Sequence, residues 1–275
     1  PRLPGSGDDM ARFRYEARTP EQLENREVKA TSVGAWSTSL TATYETDPDL
    51  IAVVLPPPLE PADEPLVRVS VARVDLGEGR PPFGAGTFAV QARHEGQVGN
   101  YPLVMPMTTE QSVVGGRETF GEPKKLADVT LDRDGDRVIG RVTRLGTTFI
   151  EVTGTVAERL PVPDELHRVD FYFKFLPAPD GKGFDAEPAL VYCHRTETAR
   201  SLERLDGEVI LRESRFDPVA DLPVRRLVSL TLSERRSIQT GEIVTRVPGE
   251  WIAPFAHQRY DDLSPTGIES IQTPP

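Results

Sequence analysis

Two adjacent lysines, Lys124 and Lys125, close the segment Gly116-Arg117-Glu118-Thr119-Phe120-Gly121-Glu122-Pro123. Paired lysines are ordinarily solvated surface residues. Here Gly115, Gly116, Gly121 and Pro123 surround them, which predicts tight turns and a constrained loop. A lysine so held can attack a ketone and form a Schiff base once its ammonium gives up a proton. At a side-chain pKa of ~10.4 a free lysine is almost wholly protonated at pH 7. Lowering that value to about 6 takes ~6 kcal/mol, at ~1.4 per unit, supplied by desolvation and a neighbouring positive charge. The iminium then draws electrons from the adjacent carbon–carbon bond. One enamine therefore serves loss of carbon dioxide, aldol cleavage or proton exchange.

Other chemistries fail on inventory. The chain has no Gly-x-Ser-x-Gly elbow, no phosphate-loop lysine motif and no His-Glu-x-x-His. His94, His167, His194 and His257 have no metal-ligand spacing, so neither a metal nor a cofactor is expected. Gly84-Ala85-Gly86 lacks the third glycine of a dinucleotide fingerprint and reads as a turn or bulge. The single cysteine, Cys193, lies in an apolar stretch and reads as a small buried hydrophobe. A formal net charge of -11 argues against nucleic acid and anionic membrane surfaces as partners. With no disulfide framework and no signal-peptide pattern, the expected compartment is the cytoplasm. The apolar run Leu50 to Leu55 is far short of the ~20 residues of a membrane span. A small molecule is the remaining partner class.

The elements that must position the lysines are mostly strands. Thr19-Pro20-Glu21-Gln22 predicts a short capped helix, and Asp47-Pro48-Asp49 a second one ending before Pro56. Leu66 to Val74 alternates apolar with polar, predicting a strand with one buried face. Asp134-Gly135 between Val129 to Leu131 and Arg137 to Val142 predicts a hairpin. Further strands are expected at Thr148 to Val156, Asp170 to Leu176, Leu190 to Tyr192, Gly207 to Leu211 and Leu227 to Leu232. Asp180-Gly181 and Asp206-Gly207 are expected to be connecting turns. Residues 1–17 read as an N-terminal arm, 18–262 as one β-rich domain and 263–275 as a tail.

The Gly-Arg-Glu triplet at 116–118 and the Pro-Lys-Lys-Leu tetrad at 123–126 resemble, residue for residue, the active-site signature of acetoacetate decarboxylases. Pro58-Leu59-Glu60, Asp63 to Arg68 and Asp221-Leu222-Pro223-Val224 extend the similarity from Tyr44 to about Tyr260. The resemblance implies an α+β, β-rich fold: a curved antiparallel sheet or barrel with short helices that encloses the active-site lysine, assembled as a homo-oligomer. It assigns the Schiff base to Lys124 and the lowering of its pKa to Lys125. Glu118 becomes the candidate acid–base partner, or else a structural partner of Arg117 or Arg141. Arg117, Trp36 and Ser37 are expected to bind substrate, Trp36 having plain core as its alternative.

Ungapped extension puts Ser37, Ser70 and Ala85 where family members carry an arginine and two glutamates. Arg26, Glu78 or Arg80 could replace those charges. Without them an acetoacetate anion would be desolvated with no paired cation, so acetoacetate is not the expected substrate. The function implied is a Schiff-base lyase acting on a small oxo acid or ketone, by decarboxylation or by aldolase/dehydratase chemistry. The alternative is a non-catalytic module that senses or carries a keto acid or a lipid-like ligand.

Overall fold

The computed structural model describes residues 15–24, 35–77 and 79–261. The chain divides into two compact units, Pro1–Val33 and Gly34–Pro275. In the first, helix α1 (20–24) begins with the expected capping box. Thr19 Oγ1 accepts from the Gln22 amide at 3.3 Å, and the Thr19 amide donates to Gln22 Oε1 at 3.1 Å.

The second unit starts with β1 (Trp36–Glu45), α2 (Pro48–Val54), β2 (Glu60–Pro61), β3 (Leu66–Asp75), β4 (Phe83–His94) and β5 (Gln97–Met107). It continues with α3 (Glu110–Thr119), β6 (Lys124–Leu126), β7 (Asp128–Asp134), β8 (Arg137–Arg144) and β9 (Thr147–Arg159). Then come β10 (Leu166–Lys174), β11 (Ala189–Leu211), β12 (Arg226–Arg246) and α4 (Gly249–Ile252), followed by a short turn of helix, Ala253–Arg259. No helix among the described residues is long and apolar enough to cross a membrane.

Seven strands close into a barrel in the order β10-β5-β4-β3-β1-β12-β11, because β10 pairs with both β5 and β11. Strand alternation then sorts side chains between lumen and outside. On β3, Val67, Val69 and Val71 point outward into the main core, while Arg68, Ser70 and Ala72 point inward. The expected single buried face of this strand is therefore corrected. Closure shields the inner face as well, which is why it tolerates polar residues.

β11 and β12 are long enough to leave the barrel, and the far half of β11 pairs with β9, extending the sheet through β8 to β7. The extension folds back over β3 and β4 where glycines remove side-chain bulk. A Cβ at Gly140 would lie 2.8 Å from Val71 Cβ, and one at Gly84 2.3 Å from Val129 O. Gly84-Ala85-Gly86 therefore lies within β4 and not in a turn. Asp206-Gly207 likewise lies inside β11, where a Cβ on Gly207 would meet Thr153 O at 2.0 Å. The connecting turn expected there is part of one continuous strand, because that glycine serves close approach of β9. The Asp134-Gly135 hairpin forms as predicted, with Asp134 opposite Arg137 and Gly135 at φ +58°.

Candidate active site

Lys124 is delivered by three successive local decisions. Helix α3 ends where Gly121 turns left-handed at φ +83°, with its amide on Arg117 O at 3.1 Å and the Glu122 amide on Gly116 O at 3.3 Å. Pro123 follows, and its carbonyl accepts from the Met105 amide at 3.0 Å, which starts a parallel pairing of β6 with β5. Lys124 is the register partner of Met105, and partners in such a pair share a face. The expectation of a loop is corrected here: Gly115 and Gly116 belong to α3, and both lysines belong to β6. Gly116 serves close approach. A Cβ there would lie 2.0 Å from Glu122 Oε2 and 2.6 Å from Lys124 Nζ. Gly116→Ala is accordingly expected to displace this pair and lower covalent trapping at Lys124 by ~10-fold or more, measured as the rate of borohydride-fixed adduct by mass spectrometry. An unchanged rate would show that the pair accommodates the methyl.

Lys124 Nζ lies 2.7 Å from Glu122 Oε2, with the lysine side chain 13% exposed and the glutamate 1%. Met105, Met107, Tyr172, Val191 and Cys193 form a second apolar cluster on the inner faces of β5, β10 and β11, completed by Val113 and Phe120 from the α3 region. Burial pushes the Cys193 thiol up to about 11, against a smaller opposing effect of Arg195, so it stays protonated near neutrality.

From Glu122 a chain of charges crosses the lumen. Arg195 donates to Glu122 Oε1 and to the Tyr172 hydroxyl, each at 3.2 Å, and to Asp170 Oδ2 at 2.6 Å. Arg168 pairs with Asp170 Oδ1 at 3.2 Å and with Glu197 Oε1 at 2.9 Å, and Arg235 donates to Glu197 Oε2 at 2.8 Å. Burial alone would raise the Asp170 carboxyl, but Arg168, Arg195 and the Asn100 amide outweigh it and hold that group well below the usual carboxylate range. Burial likewise opposes the Arg195 charge, yet Tyr172, Asp170, Cys193 and Glu122 raise its pKa well above the ordinary value.

The other predicted residues are dispersed. Lys125, the neighbour of Lys124 on the same strand, takes the opposite face. Its ammonium donates to Phe216 O at 2.7 Å and pairs with Asp217 at 3.0 Å and Asp261 at 3.2 Å, both also held by Arg144. Glu118 is exposed on α3. Two residues are about 200° of helix rotation, so it faces away from Gly116 and the lysine, and Glu122 is the carboxylate at Lys124. Arg117 donates to Lys124 O and Arg259 O, each at 3.0 Å, and stacks 5.1 Å from the Tyr260 ring centroid. It clamps the backbone under the lysine, and no substrate role follows from those contacts.

Ser37 points into the lumen, its hydroxyl donating to Arg235 O at 3.3 Å. Trp36, its neighbour, must take the other face, where the Arg200 guanidinium lies 4.4 Å from its ring centroid. The expectation that both line one cavity is corrected by that alternation. Ser70 accepts a lumen hydrogen bond from Thr41 at 3.3 Å, and Ala85 packs against the second apolar cluster. Arg26 and Glu78 lie outside the described residues, and Arg80 is exposed and donates to Leu76 O at 2.6 Å.

Sequence reasoning missed Glu122, Arg195, Asp170 and Tyr172. For Glu122 a signal existed: it sits between two turn formers, Gly121 and Pro123, immediately before the lysine pair. For the others there was none, since barrel closure alone brings β10 and β11 to Lys124. Among the described residues no group of His, Cys, Asp and Glu is arranged to hold a metal ion.

A family model described as Acetoacetate decarboxylase (ADC) matches residues 16–247. The acetoacetate decarboxylase of Burkholderia cenocepacia (strain HI2424) is 30% identical over 212 residues, covering 74% of this chain and 85% of that protein. The acetoacetate decarboxylase of Burkholderia vietnamiensis (strain G4 / LMG 22486) is 30% identical over 192 residues, covering 68% and 76%. Among solved structures, an acetoacetate decarboxylase from Legionella pneumophila superposes with a TM-score of 0.68 at 23% identity, over 78% of this chain and 88% of that one. The enduracididine biosynthesis enzyme MppR complexed with pyruvate superposes with a TM-score of 0.66 at 17% identity, over 77% and 91%. These two structures share the fold described above.

Proposed function

The chain belongs to the acetoacetate decarboxylase family, and from that premise we propose that it is a Schiff-base lyase in which Lys124 attacks the carbonyl of a small oxo acid or ketone. The carrying observation is the enclosed pair of Lys124 Nζ and Glu122 Oε2 at 2.7 Å. Glu122 takes the ammonium proton, and the freed amine adds to the carbonyl carbon while the π electrons move to oxygen. Glu122 relays protons from nitrogen to that oxygen, and water leaves. The net products are the iminium, a water molecule and an ionised Glu122. Arg195, on the other carboxylate oxygen at 3.2 Å, orients Glu122. The iminium then accepts the electrons of the breaking carbon–carbon bond.

Acetoacetate is not the substrate favoured, because Ser37, Ser70 and Ala85 provide no charge. MppR has been solved with the condensation product of pyruvate and imidazole 4-carboxaldehyde. That supports aldol-type condensation or dehydration as the second route open to this chain. A homo-oligomer in the cytoplasm belongs to the same reading.

Borohydride reduction in the presence of pyruvate or acetoacetate tests it. A mass adduct on Lys124, absent in Lys124→Ala, is expected, and carbon dioxide release from β-keto acids then separates decarboxylation from aldol chemistry. Reversible binding with no adduct would instead identify a non-catalytic module that senses or carries its ligand.

A further inference from the structure

One end of the barrel opens into a cavity of about 750 Å³ lined by residues from all seven barrel strands, among them Thr43, Arg68, Gln91, Asn100, Arg168 and Arg235. Arg195 lines it too, and joins it to Glu122 beside Lys124. Setting the Lys124–Glu122 pair aside, among the described residues this lumen holds four guanidiniums, those of Arg68, Arg168, Arg195 and Arg235, against the two carboxylates of Asp170 and Glu197. Three of the arginines are bound to those carboxylates at 2.6–3.2 Å.

Arg68 differs. Among the described residues it has no hydrogen bond and no ion pair, although it projects into the lumen from β3 with Asp170 and Glu197 both near enough to act on its charge. Burial, followed by the Arg168 and Arg235 charges, pushes its guanidinium well down from the ordinary value. A cation held against two like charges, with no counter-ion of its own, is costly to the fold. It is the arrangement expected of a site kept for an incoming anion.

Arg68 is also distant from Lys124. Through the register Arg68–Ala89–Pro102 it stands level with Pro102 on β5, whereas Lys124 stands level with Met105. Because the β4–β5 register shifts between Phe88 and Ala89, that offset is two residues, or about 7 Å along the strands, and β4 lies between β3 and β5.

We propose that Arg68, flanked by Arg168 and Arg235, binds a substrate carboxylate remote from the carbonyl that Lys124 attacks, so the substrate is an oxo acid whose two functional groups are separated by several carbons. This rests on the reading of Lys124 given above. It relocates anion recognition from the position of Ser37 on β1 to a different strand, and it accounts for the loss of charge at Ser37, Ser70 and Ala85.

The test uses hexanoate, which has the carboxylate and no carbonyl, and 5-oxohexanoate, which has both. Calorimetric titration of the full chain with hexanoate is expected to show binding that weakens at least ten-fold in Arg68→Gln and is partly retained in Arg68→Lys. The Tm of Arg68→Gln is expected to equal or exceed that of the unsubstituted protein, whereas Arg235→Gln, which takes away one of the two arginines paired with Glu197, should lower it. Absence of hexanoate binding to the unsubstituted protein, undiminished binding in Arg68→Gln, or a Tm loss in Arg68→Gln as large as that of Arg235→Gln would each overturn the proposal. The two readings fail separately. Hexanoate binding without any adduct from 5-oxohexanoate removes the Schiff-base reading alone, and an adduct formed at equal rate in Arg68→Gln removes the carboxylate site alone.

Discussion

Glu122→Gln is expected to slow covalent trapping at Lys124 by ~10²–10⁴-fold, with the protein still folded. Glutamine has nearly the shape of glutamate and its amide oxygen can still accept from Arg195, which lies 3.2 Å from Glu122 Oε1. What it cannot do is take the ammonium proton, and the base form of Lys124 must then be generated by solvent. At 1% exposure of the Glu122 side chain, solvent is a poor substitute. Rapid-quench borohydride trapping reports the loss directly, and calorimetric melting of the same sample shows whether the fold persists. A trapping rate within two-fold of the unsubstituted protein, with an unchanged melting temperature, would make Glu122 a counter-ion only and move the proton acceptor elsewhere.

Lys125→Ala is expected to act on stability and not on the chemistry at Lys124. Its ammonium is 3.0 Å from an Asp217 side chain that is 1% exposed, and 3.2 Å from Asp261. Removing one partner of a buried ion pair typically costs ~3–5 kcal/mol, because the remaining charge is stranded in a medium that solvates it poorly. Arg144 still reaches both aspartates, at 2.9 Å and 2.5 Å, which places the expected cost at the lower end of that range. For a domain of this size the melting temperature should fall by on the order of 10 °C. The pH profile of trapping at Lys124, normalised to folded protein, should stay where it is. A displaced profile with an unchanged melting temperature would restore the direct electrostatic role that the sequence resemblance assigned to Lys125, in spite of the opposite faces the two lysines occupy on β6.

The contrast between these neighbours shows how far local sequence reaches. Pro123-Lys124-Lys125-Leu126 singles out the proposed nucleophile, but whether the second lysine assists it depends on which way each side chain points. That is a matter of strand register, where a shift of one residue exchanges the two faces. The same limit separates Trp36 from Ser37. Glu118 and Glu122 are told apart by helix phase and the left-handed turn at Gly121, neither of which the triplet Gly116-Arg117-Glu118 specifies.

By itself the sequence determined whatever depends on a few consecutive residues: the Thr19–Gln22 cap, the Asp134-Gly135 hairpin, the alternation of β3, and Lys124-Lys125 as the lysine pair embedded in a family signature. Tertiary structure alone decided which strands join into a closed barrel. Through that it decided that Arg68, Asp170, Arg195 and Arg235, from four different strands, share one lumen with Glu122 beside Lys124. The physical reason is that turn chemistry and periodicity act within a few residues, whereas Coulomb and desolvation energies depend on spatial distance, which closure of a sheet makes unrelated to separation along the chain.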